Sequence, residues 1–419
     1  MSFQQGLSGL NASSKNLEVI GNNVANANTV GAKSSRAEFA DMYASALNGA
    51  GTTTIGIGVN LAAVTQQFTQ GNITTTENPL DLAINGNGFF EVTNGIQTLY
   101  TRNGQFQANK DGYIVNSAGL QLMGYPANDQ GVIQPGAARA LQLPTGGVDP
   151  NETTEVNIEM NLDSRLATTL PASGAQIDFN DAATYNNATS ISVYDAKGQD
   201  VAVTYYFQKS GTDTWNVYAT ANGVTLAGTA AAPLPVTSIT FPSDGSAPTS
   251  PSGPVSITIP ATTNAAGAAT LPISGVQLDL TKATQFGSAF GVTDLSQDGY
   301  SAGKLSSLSI ESSGVVMATY SNGQSKPAGQ IELASFRNPQ GLSPLGGNVW
   351  ARTFASGDPT VGTPSSGNLG ALQASALEES NVDLTGELVD MITAQRVYQA
   401  NAQTIKTQDA VLQTLVNLR

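Results

Sequence analysis

The sequence predicts a multidomain, mainly β protein with α-helical termini: end helices that pair as a coiled coil, a β-rich inner domain, and a β-rich outer domain inserted into it. Near the start, Phe3, Leu7, Leu10, Ser14, Leu17, Gly21 and Val24 recur at alternating spacings of four and three. Near the end, Leu384, Leu388, Met391, Gln395, Tyr398, Ala402, Ile405, Asp409, Leu412 and Val416 do the same. Such spacing draws one narrow stripe along a helix, as a coiled-coil seam requires. Between these ends the chain is rich in Gly, Thr, Ser and Asn with short apolar runs, a pattern of strands and turns. The stripe has polar breaks at Ser14, Gln395 and Asp409, so the helices form a weak zipper if left alone in water. The same pattern also allows two amphipathic helices docked on their own domain.

The elements follow in order. Ser2 and Gln5 have capping-box spacing, which opens the first helix. That helix is expected to fade near Gly21-Asn22-Asn23, because the run from Asn22 to Gly31 is Asn-rich and Asn side chains compete for backbone hydrogen bonds. Asn22, Asn23, Asn26, Asn28 and Gly31 are therefore candidate hinge residues. A second amphipathic stretch runs from Arg36 to Leu47. A Gly/Thr-rich flexible arm comes next, with Gly49, Gly51, Gly56 and Gly58 as further hinge candidates. A hairpin is predicted around Asn85-Gly86-Asn87-Gly88 and another around Lys110-Asp111-Gly112-Tyr113, where positive φ is needed. Strands resume after 150. The stretch 219–270 is low in complexity and is either short edge strands and loops or partly mobile. A second Asp-Gly-Tyr, Asp298-Gly299-Tyr300, precedes another hairpin-like run through Ile310, Ser313-Gly314 and Val315-Val316.

The simplest partition has a terminal helical domain (1–30 and 372–419), a connecting arm (31–74 and 361–371), an inner β domain (75–145 and 285–360) and an inserted outer β domain (146–284). Exposed loops tolerate such insertions because the inserted domain keeps its ends close.

Composition narrows the functions. The chain has 419 residues, ample for several domains, and 40% of them are apolar. With 17 basic against 31 acidic residues and a net charge of -14, it offers no basic patch for nucleic acid or an anionic membrane. It has no Cys and no His, which removes disulfides, thiolate nucleophiles, Ser-His and Cys-His pairs and imidazole metal sites. The start lacks a basic n-region with an apolar h-region, and no apolar run is long enough for a membrane span. Paired carboxylates are the remaining acid-base chemistry: Asp195 with Asp200, Asp294 with Asp298, and Glu378 with Glu379. Asp195, Asp200 and Asp298 read better as turn acids, and Glu378 and Glu379 stand at the positive end of the last helix. There is no phosphate-binding GxxxxGK[ST] loop, and the Asn-Gly turns lack the alternating Asp ligands of a calcium loop. No catalytic, cofactor or metal site is expected. Tyr205, Tyr206, Phe207, Trp215 and Tyr218 could line a glycan groove, but strand alternation favours a core.

Residues 1–42, with SGLNASSKNLEVIGNNVANANTVGAKS and FADM, resemble the N-terminus of the flagellar rod and hook axial protein family. Residues 380–419, SNVDLTGELVDMITAQRVYQANAQTIKTQDAVLQTLVNLR, resemble the C-terminus of its hook members, and PLDLAINGNGFFEV and YTRNGQFQANKDGYIVNSAGLQLMGYPA resemble the shared core. One departure stands at Ala32, where the family's Thr-x-Gly-Phe-Lys motif has an aromatic. The resemblance implies a subunit of the flagellar hook, a curved flexible tube that self-assembles and passes torque from rod to filament as a universal joint. It also implies the partners: further copies of the chain, distal rod protein, hook cap, hook-filament junction proteins and the flagellar type III export apparatus. The location implied is extracellular, in the basal body and hook, with no cleaved signal peptide. Phe3, Leu7, Leu10, Leu17, Val24, Leu384, Leu388, Met391, Tyr398, Ala402, Ile405, Leu412 and Val416 would then be the assembly seam. Two other readings are a distal rod protein, against which the long insertion counts, and a β-rich surface adhesin, which has no need of seam-bearing termini.

Overall fold

The computed structural model describes residues 2–43, 56–128, 130–144, 146–169 and 177–417. Helix α1 spans Ser2–Ala25 and helix α2 spans Leu384–Asn417. The helix expected to fade at Gly21-Asn22-Asn23 runs through them. The reason is tertiary: the buried Asn23 amide donates to Ser35 O (2.8 Å) and Glu387 Oε1 (2.9 Å), and its Oδ1 accepts from Ser35 N (2.8 Å). A side chain engaged in this way no longer competes for its own helix. Gln5, expected in a capping box, instead donates from Nε2 to Gly56 O at 2.6 Å.

The stretch read as amphipathic, Arg36 to Leu47, is a strand as far as Tyr43, and 44–47 lie outside the described residues. β1 (Ser35–Tyr43) pairs antiparallel with β2 (Gly56–Gln66), with Arg36 opposite Thr65 and Ala37 opposite Val64. A ladder partner overrides a weak local helical preference here. Gly56 and Gly58 therefore belong to a paired strand rather than a free arm, while Gly49 and Gly51 lie outside the described residues.

The chain divides into two compact units: Met1–Thr145 with Ser307–Thr319 and Ser325–Arg419, and Gly146–Ser306 with Tyr320–Gln324. The expected outer domain, 146–284, is thus extended, because Gly291–Gln297 pairs antiparallel with Glu155–Asn161 and draws 285–306 into the second unit. The expected boundaries near the C-terminus also shift. Thr360–Gly362 pairs with Leu333–Ser335, Ala371–Ala374 with Leu82–Asn85, and Ala376–Glu378 with Ile73–Thr75, so 372–378 holds two short strands broken at Ser375 rather than helix.

The spine of the first unit is a sheet whose neighbours run Ser325–Ile331, Gln121–Pro126, Phe89–Thr93, Thr98–Thr101, Val349–Ala351 and Ser343–Gly346. One core gathers Leu82, Ile84, Phe90, Ile114, Leu122, Ile331 and Leu333, and a smaller aromatic core gathers Phe89, Tyr100, Phe336 and Trp350, joined by Phe68. The predicted hairpin around Asn85-Gly86-Asn87-Gly88 does not form. Gly86 and Gly88 do take positive φ (+118° and +126°), but the strands on either side leave for different partners, Ala371–Ala374 and Thr98–Thr101. The second predicted hairpin does form, pairing Phe106–Ala108 with Ile114–Asn116.

In the second unit, one sheet orders Val255–Ile259, Ile273–Asp279, Glu155–Asn161 and Gly291–Gln297, and another is led by Asn187–Tyr194, Asp200–Lys209 and Thr214–Ala221. Their shared core holds Tyr205, Phe207 and Trp215 fully buried, so these three aromatics are core residues as alternation suggested. The low-complexity stretch includes the short strands Val224–Thr225, Gly228–Thr229, Ala232–Pro233, Thr237–Thr240 and Val255–Ile259.

Candidate assembly site

α1 and α2 pack together within the one chain, and small and polar residues make the contact. A Cβ on Gly6 would sit 3.1 Å from Ile405 Cγ1, and one on Gly9 would sit 2.9 Å from Asn401 Nδ2. Asn401 Nδ2 donates to Ser13 Oγ at 3.5 Å, and Ser13 Oγ donates to Gly9 O at 2.8 Å. Ala394 is buried on α2, as are Gly6, Ser13, Ile20 and Asn23 on α1. Two glycines without side chains let the backbones approach, the device small residues provide at close helix crossings. Ile405 is the predicted seam residue for which this contact is resolved.

The rest of the predicted stripe is only partly covered. Phe3, Leu7, Leu384, Leu388, Tyr398 and Leu412 are exposed, with relative exposures from 37% to 53%. Leu10, Leu17, Val24, Met391 and Ala402 are half-buried, and the Val416 side chain lies outside the described residues. Val389, Ile392, Val397 and Val411 of α2 are exposed too, and sequence reasoning missed them because they fall off the strict four-three spacing. A soluble chain seldom leaves so many large apolar side chains uncovered along one helix without a partner surface to receive them. Beside the helices lies a cavity of about 830 Å³ lined by Gly9, Ile20, Phe39, Val59 and Val397 among others.

The bases of the helices are tied by an ion cluster that the sequence did not reveal. Glu378 Oε1 lies 2.6 Å from Lys33 Nζ, and Glu378 Oε2 lies 3.0 Å from Arg102 Nη1, all three side chains being essentially buried. Lys33 Nζ also donates to Thr69 O (2.7 Å), Arg102 Nη2 to Gly86 O (2.9 Å), and Gly71 N to Glu378 Oε1 (3.0 Å). Burial lowers the pKa values of both Lys33 and Arg102 from their ordinary values, and Glu378 opposes that. Arg102 further stacks over Phe89, 5.4 Å from the ring centre. The sequence reads Glu378 as a helix-dipole acid, whereas it stands in a strand six residues before α2. Its one legible signal is that it falls in an apolar run, Ala376-Leu377-Glu378.

Several predicted hinge residues are tethered. Gly31 has φ +70°, its N donates to Glu378 O at 2.8 Å, and a Cβ there would sit 2.6 Å from Asn103 N. Gly58 lies so close to Ser8 that a Cβ would overlap its hydroxyl. Ala32, where the family motif has an aromatic, is buried at the same joint. Asn22 accepts from Asn26 Nδ2 at 2.9 Å, while Asn28 is exposed. Among the acid pairs, Asp195 takes the backbone N–H groups of Lys197 and Gln199, as a turn acid does, and also that of the distant Leu271. Asp298, read as a turn acid, instead takes the N–H groups of Thr154 and Glu155, more than a hundred positions away, and so ties two segments together.

Comparison with known proteins places this helical pair in a family. Four profiles match along the chain: "Flagella basal body rod protein" over 3–33, "Flagellar hook protein FlgE/F/G D1 domain" over 83–166, "Flagellar basal body protein FlaE D2 domain" over 161–300, and "Flagellar basal body rod FlgEFG protein C-terminal" over 373–418. The chain is 43% identical over 425 residues to the flagellar hook protein FlgE of Salmonella typhimurium (strain LT2), with 100% of each chain covered. The chain belongs to the flagellar hook protein family. The flagellar hook protein FlgE of Escherichia coli (strain K12) is 42% identical over 428 residues, again with 100% of each covered. The crystal structure of Helicobacter pylori flagellar hook protein FlgE2 shares the fold at a TM-score of 0.52 and 15% identity, covering 73% of this chain and 100% of that one. Membership agrees with a mostly β chain closed by a packed pair of terminal helices, and no helix among the described residues is long and apolar enough to cross a membrane.

Proposed function

We propose that this chain is a structural, non-catalytic subunit of the flagellar hook that self-assembles into a curved, flexible tube and transmits torque as a universal joint. The observation that carries this reading is the set of large apolar side chains, Leu384, Leu388, Val389, Ile392, Val397, Tyr398, Val411 and Leu412, spread around α2 and left exposed although the helix is already packed on α1. In a tube, neighbouring copies on several sides of α2 would cover these side chains, and hydrophobic burial repeated at every subunit would drive assembly. The predicted seam residues then act between copies rather than only between α1 and α2. Bending would require the outer contacts to slide while this helical wall stays intact. Asn26 and Asn28, past the end of α1, remain the hinge positions of this reading. The partners would be further copies of the chain, distal rod protein, hook cap, hook-filament junction proteins and the type III export apparatus, with export to the cell exterior and no cleaved signal peptide.

The rod-named profiles at both ends favour a second reading, a distal rod protein. The full-length match, 43% identical, to a protein named as a flagellar hook protein favours the hook. Electron microscopy of the purified full chain under polymerising conditions tests both: curved tubes support the hook subunit, straight ones the rod, and failure to polymerise under any condition would refute both.

A further inference from the structure

Glu91 and Glu332 meet in the first unit with no cation of the described residues between them. Glu91, in the strand Phe89–Thr93, is 9% exposed, and Glu332, just before Leu333–Ser335, is 3% exposed. The ladder pairs Ala334 with Phe89 and Leu333 with Phe90 in antiparallel register, so its next step sets Glu332 opposite Glu91. Like charges directly opposite each other on neighbouring strands are destabilising, and more so where water is excluded.

Every strand around them contributes a neighbour. From Thr98–Thr101 comes Tyr100, opposite Glu91, its phenol pushed up to about 12 by burial first and by Glu91 second. From Gln121–Pro126 comes Tyr125, whose hydroxyl donates to Glu332 Oε1 at 2.7 Å. Beyond Tyr100 stand Arg352 and Asp358, which pair with each other at the surface, so the arginine's charge is already matched. Glu91 Oε2 is buried, and no described residue bonds it.

We propose that Glu91 and Glu332 form a proton-binding site, in which Glu91 holds one proton while Glu332 stays ionised against the Tyr125 hydroxyl. Burial raises the Glu332 carboxyl as well, but the Tyr125 hydroxyl opposes that, whereas desolvation and then the charge of Glu332 push the Glu91 carboxyl up to about 7, so the shared proton sits on Glu91 and leaves near neutrality. On its release two charges repel where Phe89–Thr93 exchanges one ladder partner, Leu333–Ser335, for another, Gln121–Pro126. The site is thus a pH-sensitive clamp on the junction of three strands. It stands independently of the assembly reading, since it needs no second copy.

The test is a titration of the full chain carrying carbon-13 at the Glu carboxyls, followed by NMR and assigned by the signals lost in Glu91→Gln and Glu332→Gln. The expected result is a Glu91 midpoint more than about one unit above the ordinary value of 4.5, falling in Glu332→Gln. A midpoint within one unit of ordinary, or one that Glu332→Gln leaves in place, would overturn the shared site. Should either variant fail to fold, hydrogen exchange on the unaltered chain still decides: protection of Phe89–Thr93 and Leu333–Ser335 should drop selectively, after correction for intrinsic rates, as pH rises through the midpoint. Uniform protection across it would overturn the clamp.

Discussion

The Lys33 ammonium lies 2.6 Å from the Glu378 carboxylate, with both side chains wholly buried, one just after α1 and the other just before α2. This pair ties the segment after α1 to the strand Ala376–Glu378 before α2, and Arg102 adds a second cation to the one carboxylate. The cluster therefore carries an excess positive charge, which sets an order among its variants.

Glu378→Gln should be the most damaging change in the cluster, because it leaves Lys33 and Arg102 buried without a counter-charge. Breaking a buried pair in this way costs roughly 3–5 kcal/mol. Lys33→Met should cost clearly less, since Glu378 and Arg102 still balance. Denaturant unfolding of the three chains gives the comparison, and equal losses would contradict the charge argument.

Gly31→Ala should loosen the same joint. Its φ of +70° disfavours a side chain, and the new Cβ would sit 2.6 Å from Asn103 N, a backbone atom that cannot turn aside. A loss of about 1–3 kcal/mol is expected. Gly95→Ala, at φ +86° but with open space around it, isolates the conformational part, and Gly31→Ala should be the worse of the two.

Leu388→Asp and Leu412→Asp should abolish polymerisation while leaving the unfolding midpoint of the single chain nearly unchanged. Both side chains are exposed in the monomer, where substitutions stay within about 0.5 kcal/mol, whereas a charge in a packed seam costs several kcal/mol. Sedimentation alongside electron microscopy reads both quantities. Normal tubes from either variant would remove these residues from the wall.

Excising 149–302 should leave the first unit folded and able to assemble, with altered curvature or stiffness. The ends of the inserted segment are already adjacent: Val148 N donates to Gly303 O at 2.8 Å and Gly303 N to Val148 O at 3.1 Å, so a short Gly linker can span the gap. Loss of assembly in a folded deletion chain would make the outer unit part of the essential wall.

Stability of the first unit should fall as pH rises from about 4.5 to about 7. Glu91 holds its proton to about 7 when folded, against an ordinary 4.5, so over that window the folded chain binds more protons than the unfolded one. Stability gained in this way is complete below the lower value and lost on passing the upper one. Denaturant midpoints measured across the window should slope downward for the unaltered chain, and Glu91→Gln should reduce that slope.

Local pattern was enough to make the ends helical, the middle β and the turn glycines left-handed. Each of these depends on residues near one another in sequence: the four-three spacing of Leu384 to Val416, the Asp111-Gly112 turn, the alternation that buries Tyr205, Phe207 and Trp215. What tertiary structure alone decided depends on partners far apart. Arg36 could have continued a helix until β2 supplied a ladder. Asn23 could have ended α1 until Ser35 and Glu387 occupied its amide. Glu378 looked like a surface acid because Lys33 and Arg102 stand 345 and 276 positions away, and the stripe looked like an internal zipper because the sequence could not show that Gly6 and Gly9 already form the contact with α2. A charge or an apolar face has no fixed energy of its own. Its cost or gain depends on what folding brings beside it, and only the assembled tertiary structure supplies that neighbour.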